Sequence, residues 1–261
     1  VQKLVENTIA KCDYCSIVID GWTNVSNKNI HNIIICTPLP VFHSSVECDA
    51  AKQDSKYLMT LLEPVIADIG PEKVTSIVTD NEAKMKKLGF LVNKKHAHIF
   101  HTGCAAHAIN LIAKDIARID SIATLLKLLN SLVETIKKSS KLSQILRKNG
   151  KIVKGTTKGN KNPVVLRLYS KTRFYGIGDM LSSVLSNREA LLLCTSDDEF
   201  IVDNDAKKMI LDMDFWERVT HLKRVFEPIT EAIAVVEADE CSIAAIPEIF
   251  EDLYQALGPH S

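Results

Sequence analysis

The chain has 261 residues, 46% of them hydrophobic and 25% charged, and its 32 Lys+Arg are balanced by 32 Asp+Glu. That composition is globular, long enough for one large domain or two of common size, and it excludes collagen-like, disordered and disulfide-scaffold chains. No run of about 18 uncharged apolar residues occurs, so no membrane-spanning helix is expected; the richest apolar stretch, Ser121 to Val133, is interrupted by Lys127.

In chain order, Cys15 to Trp22 reads as a buried strand that ends in Asp20-Gly21. Ile30 to Thr37 is rich in β-branched residues, and Val41 to Cys48 follows a Pro38-Leu39-Pro40 turn. Connections this short make the three strands antiparallel neighbours. Ser55 to Ile69 predicts a helix with Leu58, Leu61, Leu62, Val65, Ile66 and Ile69 on one face, stopped by Gly70-Pro71. Lys73 to Asp80 is then a strand, Asn81 to Asn93 a helix, Ala97 to His101 a short strand, and a further helix starts near Cys104. Three strands, helix, strand, helix, strand, helix predicts an α/β fold. It is the order of a ribonuclease-H-like mixed five-stranded sheet with flanking helices. A doubly wound sheet would need a crossover helix between nearly every strand pair, and the first three strands leave no room for one.

Beyond about Ala105 the pattern turns helical, with helix-rich stretches at Leu111–Leu146, Leu166–Leu193, Phe215–Val236 and Ile243–Leu257. The expected organisation is a core over residues 1–120 and an all-α insertion region over 121–261. That region carries a basic loop at 150–163, where three Gly and four Lys cluster.

Charge is unevenly distributed along the chain. Residues 1–136 hold 14 basic and 14 acidic side chains, residues 137–173 hold 12 basic and none acidic, and residues 174–261 hold 6 basic and 18 acidic. A carboxylate-free run of 37 residues suits a phosphate partner, beside an acidic region that compensates it. Lys154, Lys158, Lys161, Arg167, Lys171 and Arg173 are the candidate contacts, and Phe174 offers a ring beside Arg173 for stacking on a base. Phe174 serves equally as the core anchor of an amphipathic helix. The seven cysteines are odd in number and sit mostly in apolar, regular segments, which reads as reduced thiols.

Two aspartates end strands expected to lie side by side and parallel: Asp20 in the first and Asp80 in the fourth. Paired carboxylates on a rigid sheet suit divalent cations about 4 Å apart, the arrangement used in phosphodiester cleavage. The other reading is that Asp80 or Asn81 caps the following helix while Glu82 complements its dipole. His101, Cys104 and His107 recur at three-residue spacing, which on a helix would roughly line one face, but zinc would need a fourth ligand. A buried thiol with His107 hydrogen-bonded in the core is the simpler account. No glycine-rich phosphate loop, G-x-S-x-G elbow or H-E-x-x-H motif is present.

Taken together and in this order, the segments IDGWTNVSNKN, IVTDNEAKM, HIFHTGCAAHAINLIAKDI and KTRFYGIGDML resemble the hAT superfamily of DNA transposases, in particular a branch carrying a domain of unknown function. The resemblance implies a ribonuclease-H-like core interrupted by a helical insertion, which cuts and joins DNA with Mg²⁺ (or Mn²⁺), and a nuclear location. It assigns Asp20 and Asp80 as metal-binding catalytic acids, Cys104 and His107 as a C-x-x-H pair of uncertain role, and Arg173-Phe174 as the counterpart of an Arg-Trp pair near DNA. Phe174 departs from the usual Trp, and Glu82 and Lys84 stand where small or amide residues are common. The family's third acid follows the insertion, and none of Glu227, Glu231, Glu237 or Glu240 matches its motif. The expectation is therefore a transposase or transposon-derived fragment, inactive alone, that oligomerises if at all through a region outside this chain. The alternative is a catalytically inactive DNA- or protein-binding module.

Overall fold

The computed structural model describes residues 2–24, 26–37, 39–48, 54–154, 165–169, 175–239 and 241–258, with the backbone alone for residues 2–6 and 154. The chain divides into two compact units, residues 1–108 with 237–242 and residues 109–236 with 243–261.

The first unit is built on a five-stranded sheet of β1 (Cys15–Thr23), β2 (Asn29–Cys36), β3 (Pro40–Cys48), β4 (Val74–Thr79) and β5 (Phe100–Gly103). Their spatial order is β3-β2-β1-β4-β5. β1 and β2, and β2 and β3, pair antiparallel, whereas β4 runs parallel to both β1 and β5. This is the mixed sheet that the sequence predicts. Residues 24–28 are enough for an antiparallel return: the Asn24 side-chain oxygen accepts from the Ser26 and Lys28 amides, and Asn27 takes the left-handed conformation at φ 58°. The parallel connections run through α2 (Ser55–Ile69) and α3 (Ala83–Lys95).

Alternation along the strands decides which face is covered. Ile17 and Ile19 of β1, Ile33 and Ile35 of β2 and Ile77 of β4 point to one side, where they bury with Leu58, Leu62 and Ile66 of α2 and Met85, Leu88 and Val92 of α3. Full burial of each such side chain contributes roughly 1.5–3 kcal/mol relative to exposure, so this face anchors the unit. Helix α2 starts at Asp54, whose carboxylate accepts the Tyr57 amide at 2.8 Å, and ends at Gly70, where φ is 99°. An additional helix, α1 (Gln2–Lys11), precedes the sheet, and Ile9 and Cys12 pack against the same core. The last strand lies a few residues later than its sequence pattern suggests: Ala97 and His98 form a turn, and strand pairing starts at Phe100.

The second unit is helical. Leu111–Leu146 is not one helix: α4 (Ala105–Ile116), α5 (Asp120–Lys138) and α6 (Ser140–Lys154) follow one another with breaks at 117–119 and at Ser139. Residues 165–169 are not helical; the helix expected from Leu166 begins at Gly176, giving α7 (Gly176–Leu185) and α8 (Arg188–Cys194). Periodicity of apolar residues could not separate that irregular stretch from a helix, since an apolar residue such as Leu166 is buried without being helical. α9 (Asn204–Leu211), α10 (Met213–Val236) and α11 (Ile246–Leu257) complete the unit. Its core is made by Leu129, Val133, Met180, Leu181, Leu191, Phe226 and Trp216, whose indole N–H donates to the Ile210 carbonyl at 2.8 Å.

Candidate functional site

Asp80 directly follows the carboxyl end of β4, whereas Asp20 lies within β1, paired with Asn32 of β2, rather than at the strand end its sequence suggested; it comes just after the part of β1 that pairs with β4. The last paired residues there are Ile19 and Thr79, so the two aspartates follow in register on adjacent strands about 4.8 Å apart. Asp20 is exposed and Asp80 half-buried. One carboxylate oxygen of Asp80 accepts the Glu82 amide at 2.9 Å, which satisfies a donor just ahead of α3. Neither Asp80 nor Asn81 is the cap residue of α3, which is Glu82 with no side-chain capping bond.

The residues around Asp80 tie the fourth strand to the segment at His101–His107. The Thr79 hydroxyl donates to the Asp80 carbonyl at 2.8 Å, so the single proton it owns is used and it accepts from His101 Nε2 at 2.9 Å. Burial pushes the His101 imidazole below its usual range, consistent with a neutral ring. The Cys104 amide donates to the Thr79 carbonyl at 2.6 Å, and the Asn81 side-chain amide donates to the Cys104 carbonyl at 3.2 Å. Gly103 permits that last contact: a Cβ there would lie 1.9 Å from the Asn81 side-chain oxygen.

Cys104 therefore holds the β4 end in place through its main chain. Burial raises its thiol pKa, opposed by hydrogen bonds from the His107 and Ala106 amides, an arrangement that serves the start of α4. His101 lies in β5, Cys104 between β5 and α4, and His107 on α4, so the three do not line one helix face. Among the described residues no group of three or more His, Cys, Asp or Glu is placed to hold a metal ion. All seven cysteines are unpaired.

A cavity of about 160 Å³ opens beside Asp80, lined among others by Gly21, Trp22, Asn29, His31, Glu82 and Lys84. His31 was not singled out by its sequence, although it breaks an alternating Ile run: positions 31, 33 and 35 share one face of β2, and 33 and 35 are isoleucine. The ring is 3% exposed, and neither nitrogen has a hydrogen-bond partner. Its pKa is lowered, first by burial and then by Lys84, against the opposing pull of Asp80, Asp20 and Glu82. Lys84 pairs with Glu82 at 3.0 Å.

Divalent cations such as Mg²⁺ take one or two protein carboxylates and complete their shell with water and substrate phosphate. The Asp20–Asp80 pair fits that donor set: both are hard oxygen ligands on a rigid edge, and Asp80 keeps one oxygen outside its bond to Glu82.

Of the basic candidates, Arg167 is described, and its guanidinium pairs with Asp179 at 2.7 Å. Lys158, Lys161, Lys171, Arg173 and Phe174 lie outside the described residues, as does the side chain of Lys154. Elsewhere in the basic segment Lys141 pairs with Glu199 at 3.3 Å and Lys138 with Glu134 at 2.6 Å.

Residues 5–132 match the family model described as "Domain of unknown function (DUF659)", a domain found in transposase-related proteins. No curated protein matches the chain.

Proposed function

We propose that the chain is the central part of a hAT-type transposase or a transposon-derived protein, whose full-length relatives cleave and rejoin DNA. The observation that carries this reading is that Asp20 and Asp80 each directly follow the last parallel pair, Ile19 and Thr79, of the adjacent strands β1 and β4 in a β3-β2-β1-β4-β5 sheet. The match of residues 5–132 to a domain of transposase-related proteins supports it.

In this reading Asp20 and Asp80 hold Mg²⁺ or Mn²⁺, and the bound cation supplies Lewis-acid activation of the attacking oxygen and the scissile phosphate. Thr79 and Asn81 fix the end of β4, so that Asp80 keeps its position when a charged strand approaches. Arg167, Lys154, Lys158, Lys161, Lys171 and Arg173 meet the phosphates, and Phe174 stacks on a base. With two acids of a three-acid set, the chain alone binds DNA weakly and cuts it poorly. It acts in the nucleus in this scheme.

Two measurements test the proposal. If about six of the twelve cations of residues 137–173 meet phosphates, log K for duplex DNA falls with log[salt] at a slope of roughly −5; a flat response removes that segment as a DNA surface. Mg²⁺-dependent nicking should be marginal, and robust nicking abolished by Asp20→Ala or Asp80→Ala would overturn the claim that a third acid lies elsewhere.

A second reading, a DNA- or protein-binding descendant without catalysis, is favoured by one observation: no third acid joins the pair among the described residues. A full-length chain that restores cleavage to this fragment's Asp20–Asp80 site excludes it.

A further inference from the structure

We propose that the outward face of α3, formed by Lys86, Lys87, Phe90 and Lys94, binds a single strand of DNA, its lysines meeting phosphates while Phe90 stacks on an unpaired base. The proposal rests on the reading of the chain as a protein that acts on DNA, and adds a surface to it.

Helix α3 carries five lysines and no carboxylate between Ala83 and Lys95. Its inner face is filled by Met85, Leu88 and Val92, with Gly89 packed against His101. At about 100° per residue, Lys86, Lys87, Phe90 and Lys94 fall on the opposite side, and all four are exposed. Lys84 and Lys95 have carboxylate partners, Glu82 and Glu63, whereas among the described residues Lys86, Lys87 and Lys94 form no ion pair. Helix stability does not account for these cations, since Lys86 stands in the first turn, where the helix dipole favours anions.

Phe90 is 67% exposed in the middle of this face. A lone exposed apolar residue is ordinary; what distinguishes this one is its surroundings. Among the described residues no other ring and no cation lies against it, while lysines flank it on the turn before and the turn after. An open ring between unpaired cations matches the two parts of a nucleotide, phosphate for the lysines and a base face for the ring. Bases in a duplex are stacked on one another, so a surface ring selects unpaired ones. One ring is too little apolar area to seat the helix in a membrane. The surface also leads from the candidate site. Helix α3 starts three residues after Asp80, whose carboxylate accepts the Glu82 amide, and Lys86 and Lys94 stand about 12 Å apart along its axis.

The test is the affinity of the whole 261-residue chain for a fluorescent oligothymidylate, read by anisotropy across a salt series. Phe90→Ala should weaken binding about 5- to 100-fold, and Phe90→Trp should bind at least as tightly as the parent. Lys86→Gln, Lys87→Gln and Lys94→Gln combined should weaken binding and reduce the slope of log K against log[salt] by about 2. All four positions are exposed, so the urea midpoints of these variants should match the parent's. Phe90→Ala with the parent's affinity, or a triple variant with the parent's salt slope, overturns the α3 surface. Polyglutamate that competes as well as oligothymidylate, or phosphatidylserine vesicles held as tightly, overturns the choice of DNA for it. A parent that binds duplex DNA but no oligothymidylate overturns this surface alone; a parent that binds neither overturns the DNA reading and this surface with it.

Discussion

At Gly89, midway along α3, a Cβ would stand 2.1 Å from Cγ of His101, which is held by Thr79 on the strand bearing Asp80. Alanine is the better helix former by about 1 kcal/mol, but the overlap with a fixed ring costs about 1–3 kcal/mol. Gly89→Ala is therefore expected to lower stability, measurable as a reduced urea midpoint. His31 and His101 give the fold a pH dependence of definite sign. Burial lowers both pKa values below the unfolded value of about 6.5; at His31, Lys84 adds to the lowering, and Asp80, Asp20 and Glu82 oppose it. The unfolded chain therefore binds protons more readily than the folded one as the solution is acidified. The stability these rings contribute is complete above about pH 6.5 and is lost as pH falls from there through the folded pKa values. Urea midpoints should drop between pH 7.5 and 5.5, and His101→Gln should shrink the drop; an equal drop in that variant counts against this assignment. Among the thiols, burial and the neighbouring Cys12 push Cys15 up to about 11. Alkylation of the native protein at pH 8 should leave Cys15 unmodified while denaturant exposes all seven cysteines.

Elements are set by their ends as much as by their faces. Helix α2 owes its start to Asp54, and Asp54→Ala should cost about 1 kcal/mol, seen in the same urea titration. Helix α3 begins differently: its cap residue makes no side-chain bond, and the carboxylate ahead of it, Asp80, spends one oxygen on the Glu82 amide. That division leaves the second carboxylate oxygen of Asp80 outside the turn. The fourth strand is held from three sides, by β1 in register, by His101 on Thr79, and by the Cys104 amide on its last carbonyl. The Thr79-Asp80-Asn81 triplet and the Cys104 segment, which read as separate motifs in sequence, are thus parts of one hydrogen-bonded joint. Asn81→Ala should loosen that joint by about 1 kcal/mol without changing the strand order. Faster amide exchange at Cys104 is its expected signature.

Across the whole molecule, the zero net charge is a sum of unlike parts. Within the second unit, cations of the basic segment meet carboxylates of the acidic one, Arg167 with Asp179 and Lys141 with Glu199. These pairs are largely exposed and worth little to stability, but under the proposed function each would compete with a phosphate for its cation. Asp179→Asn should therefore raise DNA affinity at low salt, by a few fold, and steepen the salt dependence; no change would mean Arg167 does not reach DNA. No helix among the described residues is long and apolar enough to cross a membrane.

The sequence by itself determined the five strands, the antiparallel succession of the first three, the helix faces and the end of the fourth strand where Asp80 follows; it put Asp20 at a strand end, and β1 runs on to Thr23. The strands, their succession and the helix faces follow from periods of 2 and 3.6 and from connection lengths, which are local properties. It also marked the segregated charge, since composition needs no coordinates. It did not separate the irregular residues 165–169 from a helix, or divide 111–146 into three, because apolar spacing reports burial and not the breaks between elements. Only the tertiary structure decided what Thr79, Asn81, His101 and Cys104 do for one another, as their bonds cross 22 or more residues of chain. His31 is the clearest case. Its sequence shows one polar residue in an apolar row; that its ring is buried, unpartnered, fitted over Gly21 and beside Asp80 depends on strand register and on α3 closing the cavity above it.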